Sequence, residues 1–332
     1  MQASGFDGMD DFGDGWPIAA SMLQFPGVLA DGSLVREADA DSWRETFAEI
    51  RRTGFSLVEL NDAWMRLDEV PPPRLDELTG AATAAGVRLT SLCIVRSSVA
   101  DPTRGAENLG YTHRSLDAAA HLGLSVVSIG FHRPLTAEQQ GALWFWTEDG
   151  HRDEVDDPEA WGVAVARVRD VGQHAADLGI ELALEMYEDT FLGTGPDAAR
   201  FVSDVGLSNV GLNPDIGNLV RLHRTIDDWR VTLRETLPHA NYWHVKNYFR
   251  DEDRTTGVVT AIPAPLKYGL IDYRTAVRDA ISAGFRGMFV CEHYGGDGLG
   301  VSAENRDYLR TLLPTGVGDQ PLINLDRTAT SR

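Results

Sequence analysis

Four residues of metal-ligand type fall at the ends of four successive apolar runs. Glu185 lies in ALEMYE, Asp215 in VGLNPDIGN, His244 in YWHVKNY and Glu292 in FVCEHYGG. Their spacings are 30, 29 and 48 residues, and one strand-plus-helix repeat takes roughly 30 residues. The long last gap contains an extra stretch, 249–271. Three carboxylates and one imidazole make a hard, mixed oxygen and nitrogen donor set. It suits Mn²⁺ first, with Mg²⁺ and Co²⁺ as alternatives, rather than a structural thiolate zinc site. Such an ion, held against a carbonyl and its neighbouring hydroxyl, stabilises the charge left when a carbon-bound proton departs. A carboxylate beside it can take that proton, and a group on the opposite face can return one. Return to the same carbon is epimerisation, return to the next carbon is isomerisation, and loss of a β-substituent is elimination.

Other residues stand near this set. His132, in SIGFHRP after the fourth apolar run, is a candidate neutral base or positioning group. Lys246 neighbours His244 and is a candidate substrate contact, and Glu188 and His293 are candidate supports. Trp64, Trp144 and Trp146 belong to connections on the same side, where Trp146 could stack on a sugar ring. Asp251 and Asp253 lie in RDEDR, read as a solvated charged loop, so one ion per chain is expected.

Apolar runs alternate with amphipathic stretches along the whole chain. Strands are expected over 17–24, 56–60, 88–95, 125–131, 181–186, 210–213, 242–246 and 288–292. Helices are expected over 41–53, 74–85, 106–122, 158–178, 196–205, 223–237, 273–283 and 303–312. Gly54, Gly86, Gly123, Gly179 and Gly284 each stand where a helix should end before the next strand, the usual C-terminal place of glycine. Eight such units in one domain favour a closed (β/α)8 TIM barrel, an α/β fold whose chemistry sits at the strand-to-helix face. The long connections 132–157 and 249–271 are on that face. Residues 17–313 are assigned to the barrel, 1–16 to a flexible N-terminal segment and 314–332 to a C-terminal tail.

The formal net charge of −20 disfavours nucleic acid and anionic membranes as partners. No basic, apolar leader opens the chain, and no run approaches the roughly 18 apolar residues of a membrane span. The two cysteines, Cys93 and Cys291, lie in strand-like runs and read as buried reduced thiols, which favours a cytoplasmic setting.

The stretches ALEMYE, NVGLNPDIGN, YWHVKNYFR and GLIDYRTAVRDAISAGFRGMFVCEHYG resemble the xylose-isomerase-like TIM barrels of the sugar phosphate isomerase/epimerase superfamily. The likeness is clearest over 160–296. It implies a metal-dependent sugar isomerase or epimerase, with Glu185 and Glu292 as ligands that also act as acid and base. Asp215 and His244 would complete the ligand set, and Arg250 would contact a substrate oxygen. Asn218 stands where members often carry a histidine, and is a candidate substrate contact. The large subunit of C-glycoside deglycosidases is also similar. It implies the alternative of a carbon–carbon lyase acting on a 3-keto-glycoside with a small β-rich partner subunit. A homo-oligomer is the other expected assembly.

Overall fold

The computed structural model describes residues 16–314, so the expected terminal segments lie almost wholly outside the described residues. Trp16 and Pro314 are the exceptions, and Trp16 is informative. It is buried, donates its indole N–H to the Gly287 carbonyl at 2.6 Å and stacks on Phe285, so it belongs to the barrel and not to a loose leader.

The eight strands of the main sheet are β1 Ile18–Ser21, β2 Leu57–Asn61, β3 Arg88–Ile94, β4 Val126–Gly130, β5 Glu181–Glu185, β6 Val210–Asn213, β7 Tyr242–Val245 and β10 Met288–Cys291. All pair in parallel, in the order β6-β5-β4-β3-β2-β1-β10-β7. A bridge between Leu212 and Ala240 brings the two outer strands together, giving a nearly closed (β/α)8 barrel. The strands are buried almost throughout, as expected for a parallel sheet covered on both faces. A small apolar layer, including Ala19, Leu57, Val126 and Met288, fills the barrel interior, and a larger cluster lies between strands and helices.

The surrounding helices are α1 Ala40–Arg52, α2 Pro72–Ala84, α3 Gly105–His121, α5 Pro158–Asp177, α6 Gly195–Val205, α8 Trp229–Thr236, α9 Tyr273–Ser282 and α10 Gly298–Arg310. Short helices α4 Ala137–Gly141 and α7 Gly217–Val220 belong to connections on the site face. The five helix-ending glycines have φ between +70° and +92°, where a side chain would clash with its own backbone. Two helix starts differ from expectation. The sixth begins at Trp229 rather than His223, because Asp228 caps it through the Arg230 N–H. The last begins at Gly298 rather than Ala303, because Asp297 accepts from Gly300 N–H at 2.8 Å.

The charged run after β7 is solvated from Asp251 to Arg254, but it is only partly loop. Arg250, Asp251 and Glu252 end β8 Asn247–Glu252, which pairs antiparallel with β9 Val259–Ala264, and Asp253 and Arg254 lie in the exposed turn that follows. Asp251 and Glu252 line an exposed strand, while Tyr248 and Ala261 face inward. Asn247 anchors this hairpin. Its amide donates to the carbonyls of Leu266 and Ile271, each at 2.9 Å, and its oxygen accepts from Ile271 N–H. Gly269 leaves the space for it, since a Cβ there would lie 2.2 Å from the Asn247 side chain. Asn247→Ala strands these buried backbone groups and is expected to cost about 2–4 kcal/mol, read as a lower urea midpoint with unchanged slope.

Candidate metal centre and active site

Strands β5, β6, β7 and β10 carry the four expected ligands at or just past their C-terminal ends. The structure groups three of them. One donor atom each from Glu185, Asp215 and His244 lies within 4.8 Å of the others, and all three residues are buried. Glu292 approaches from the β10 side, where Lys246 holds its carboxylate. The same Lys246 ammonium is 2.6 Å from Asp215. A built-in cation therefore bridges the fourth expected ligand to the second.

The electrostatics of this cluster require positive charge. Glu59, Glu185, Asp215 and Glu292 are all buried in one region. Burial disfavours the Glu185 charge, but His132, His244 and Lys246 outweigh it and hold this carboxyl well below the usual range. Burial drives Asp215 upward, and the Glu292 and Glu185 carboxylates add to this against the pull of Lys246. Burial opposes protonation of His244, yet Glu59, Glu185 and Glu292 push it up to about 10. Buried carboxylates this close need counter-charge. The Oδ1 atom of Asp215 and Nδ1 of His244 are buried without hydrogen-bond partners. These orphaned donors fit a divalent ion.

Glu59, on β2, was not expected from the sequence. Its Oε2 accepts from His244 Nε2 and from the Tyr242 hydroxyl, both at 2.6 Å, and the Tyr242 hydroxyl also meets Ser91 at 2.7 Å. A carboxylate only accepts, so His244 Nε2 carries a hydrogen toward Glu59, and Nδ1 is the nitrogen turned to the site, where it would give up its own proton to bind an ion. This is how an outer carboxylate commonly orients a metal-bound histidine. Glu59, Cys93 and His244 also form a compact group. In that group Glu59 and His244 Nε2 already satisfy each other, whereas Asp215 Oδ1 and His244 Nδ1 are left without partners, so the Glu185 group is the better centre. Glu59→Gln is expected to weaken ion affinity about 10–100-fold in calorimetric titration. The signal for Glu59 was present in the sequence, as a lone acid inside the apolar run SLVELN.

The remaining expected residues divide. His132 is buried against the site, with Nε2 3.7 Å from Glu185 and its ring 4.2 Å from that of Tyr187. Gly130 admits it, since a Cβ there would lie 2.3 Å from the imidazole. The Asn218 amide donates to Glu185 at 3.0 Å and Asp215 at 3.2 Å, so it braces two ligand carboxylates. Arg250 is not brought into the cluster. Its guanidinium donates to the carbonyls of Val220, Leu222 and Arg224, tying the hairpin to the chain after α7. Trp64 packs on Phe47 away from the centre.

The 132–157 insertion covers the centre. Trp146 is buried, 5.5 Å from the Tyr248 ring and 5.4 Å from that of Tyr294. Arg221, also missed in the sequence, is fully buried beneath it. It makes two contacts with Glu188 at 2.9 and 3.0 Å, and its guanidinium carbon lies 4.8–5.1 Å from the Phe145, Trp146 and Tyr187 rings. Glu188 thus supports Arg221 rather than a ligand. Among the described residues no helix is long and apolar enough to cross a membrane, and both cysteines are buried and free.

Comparison with known proteins places the fold and the family. The family model described as xylose isomerase-like TIM barrel matches residues 47–312. A xylose isomerase-like TIM barrel protein from Mycobacterium smegmatis, solved in complex with magnesium, is 43% identical. That match covers 90% of this chain and 96% of the other, with a TM-score of 0.85. D-psicose 3-epimerase from Clostridium cellulolyticum H10, solved with D-tagatose, shares the fold at 16% identity and a TM-score of 0.64, over 90% and 99% of the two chains. The 3-keto-D-glucoside 4-epimerase from E. coli does so at 17% and 0.62, over 89% and 99%. No protein of curated function matches by sequence. With a family model spanning most of its length and a close relative of the same description, the chain belongs to the xylose isomerase-like TIM barrel family.

Proposed function

We propose that this protein is a divalent-metal-dependent sugar isomerase or epimerase that moves a proton beside a substrate carbonyl. The observation that carries the reading is the placement of Glu185 and Glu292. Glu185 ends β5 and Glu292 follows β10, three strand positions apart around the barrel mouth, with Asp215 just past β6 and His244 on β7 between them. A sugar lying across that mouth meets one carboxylate on each side. Glu185, Asp215, His244 and Glu292 would hold the ion, Mn²⁺ or the Mg²⁺ found in the Mycobacterium smegmatis relative. The ion, when bound, polarises the carbonyl and its neighbouring hydroxyl and makes the adjacent C–H more acidic. Glu185 is kept deprotonated by His132, His244 and Lys246, so the carboxylate form that can accept a proton is the one present. His132, 3.7 Å away, can steady that carboxylate. Lys246 holds Glu292 in place on the other side. Trp146 and the insertion exclude water from the chamber.

The fold is shared with epimerases of free ketohexoses and of a 3-keto-glucoside. Both substrate classes are therefore the first to test. Metal-loaded protein is incubated in D2O with D-psicose, D-tagatose and 3-keto-glucosides, and solvent deuterium is followed into recovered sugar. Exchange with a new stereoisomer supports the reading. Release of an aglycone from a 3-keto-C-glycoside, with or without a small partner chain, would instead favour the lyase alternative. No exchange and no cleavage in any of these would overturn both.

A further inference from the structure

Beside the metal cluster lies a cavity of about 100 Å³ between the insertion and the barrel, lined by Arg96, His132, Arg133, Trp146, Tyr187 and Arg224 among others. His132 joins the two spaces. It is 3.7 Å from Glu185, its ring lies 4.2 Å from the Tyr187 ring, and Tyr187 accepts from Arg96 at 3.4 Å. Arg96 stands two residues past β3 with φ +56°, a left-handed conformation that a non-glycine residue adopts under strain. Strain of this kind persists where the surroundings or the function fix the residue. The Arg96 guanidinium also has no carboxylate partner among the described residues. It donates to the Arg133 carbonyl at 3.1 Å and lies 4.9 Å from the Phe145 ring.

The other guanidiniums of this wall are matched. Arg133 pairs with Asp153 at 2.7 Å, and Arg224 pairs with Asp189 at 2.9 and 3.0 Å. Glu188 is taken by the buried Arg221. Glu148 and Asp149 lie on the exposed rim. The inner wall therefore carries three guanidiniums against two carboxylates, Asp153 and Asp189, each already paired, and Arg96 supplies the excess. The space of about 100 Å³ is enough for one carboxylate or phosphate group.

We propose that this cavity is an anion subsite in which Arg96 binds a carboxylate or phosphate carried by the sugar, remote from the reacting carbonyl. It rests on the sugar isomerase reading above and deepens it, naming an acidic sugar as the substrate class. Arginine presents paired donors that match either group.

Calorimetric titration of magnesium-loaded protein tests this with inorganic phosphate, D-glucuronate and neutral D-glucose. One equivalent of phosphate or glucuronate should bind, with an affinity that falls as salt rises, and glucose should bind about tenfold more weakly or not at all. The tighter of the two anions identifies the source as a phosphate ester or a sugar acid. Arg96→Leu should weaken the anion about tenfold or more, the worth of one charge-assisted hydrogen bond, and leave magnesium affinity unchanged. Arg96→Gly should lose the anion equally while melting no lower than wild type, because glycine adopts the left-handed backbone without strain. Anion affinity unchanged in Arg96→Leu, as binding through the metal alone would give, overturns the proposal. So does a glycine variant that melts several degrees lower yet still binds the anion, or glucose binding as tightly as glucuronate. A protein that binds neither anion but exchanges deuterium into neutral ketohexoses keeps the isomerase reading and loses the subsite. One that binds the anion through Arg96 and exchanges no sugar loses the isomerase reading alone.

Discussion

Glu185→Gln is expected to lower turnover by about a thousandfold or more and to weaken retention of the ion. The amide has nearly the shape of the carboxylate but carries no charge, so the fold should persist. Removal of a positioned base alone costs on the order of 10²–10⁴ in rate, and loss of a ligand from a three-carboxylate set adds to that. The change also leaves His132 without the carboxylate 3.7 Å away. The Asn218 amide, which donates to Glu185 at 3.0 Å, would then face another amide. Three measurements separate these effects: deuterium exchange, metal content after dialysis, and thermal unfolding of the metal-free protein. Exchange at wild-type rate, or full metal content in the variant, would remove Glu185 from the site. Glu292→Gln should follow the same pattern, with one difference. Lys246 would keep only Asp215 as a carboxylate partner.

Arg221→Met is expected to cost about 3–5 kcal/mol of stability, the usual result of leaving one member of a buried ion pair alone. The arginine side chain is wholly buried and that of Glu188 nearly so, so solvent does not screen the pair. Burial alone would lower the Arg221 pKa, yet Glu188 and the surrounding tyrosines raise it well above the ordinary value. The guanidinium also fills the space among Phe145, Trp146 and Tyr187, so the insertion loses its inner anchor. A drop of about 6 °C or more in melting temperature is the expected reading. Arg221→Met combined with Glu188→Leu should recover most of the loss, since a buried pair replaced by apolar groups is often near neutral. A single variant that loses less than about 1 kcal/mol would show that this pair is not the anchor.

How much of this was legible in the chain follows from physics of different range. The barrel strands stood out because a strand covered on both faces is apolar throughout, and glycine marked the ends of five helices. Glu185, Asp215, His244 and Glu292 stood out because an acid or imidazole at the end of such a run has no local reason to be there. Glu59 sent the same signal. Its partner, however, is 185 residues away, and spacing does not report that contact. Arg250 was misread for a related reason. Its position relative to His244 fits a substrate contact, but β8 turns its guanidinium toward backbone carbonyls. The hairpin itself was hidden because charge on the outer face of an exposed strand looks like charge in a loop. Arg221 and Arg96 were hidden because their roles depend on which rings and carboxylates tertiary packing brings beside them.

The hold of Glu59 on His244 has a consequence for assembly. Glu59 and Cys93 come from the first half of the barrel, and all four expected ligands come from the second. A chain cut between β4 and β5 would leave one fragment with every ligand and no Glu59 to orient the imidazole, and another with Glu59 and nothing to orient. Neither fragment alone would bind the ion with the affinity of the whole. Tight binding would return only as the two halves associate, so the ion would act as a reporter of barrel closure.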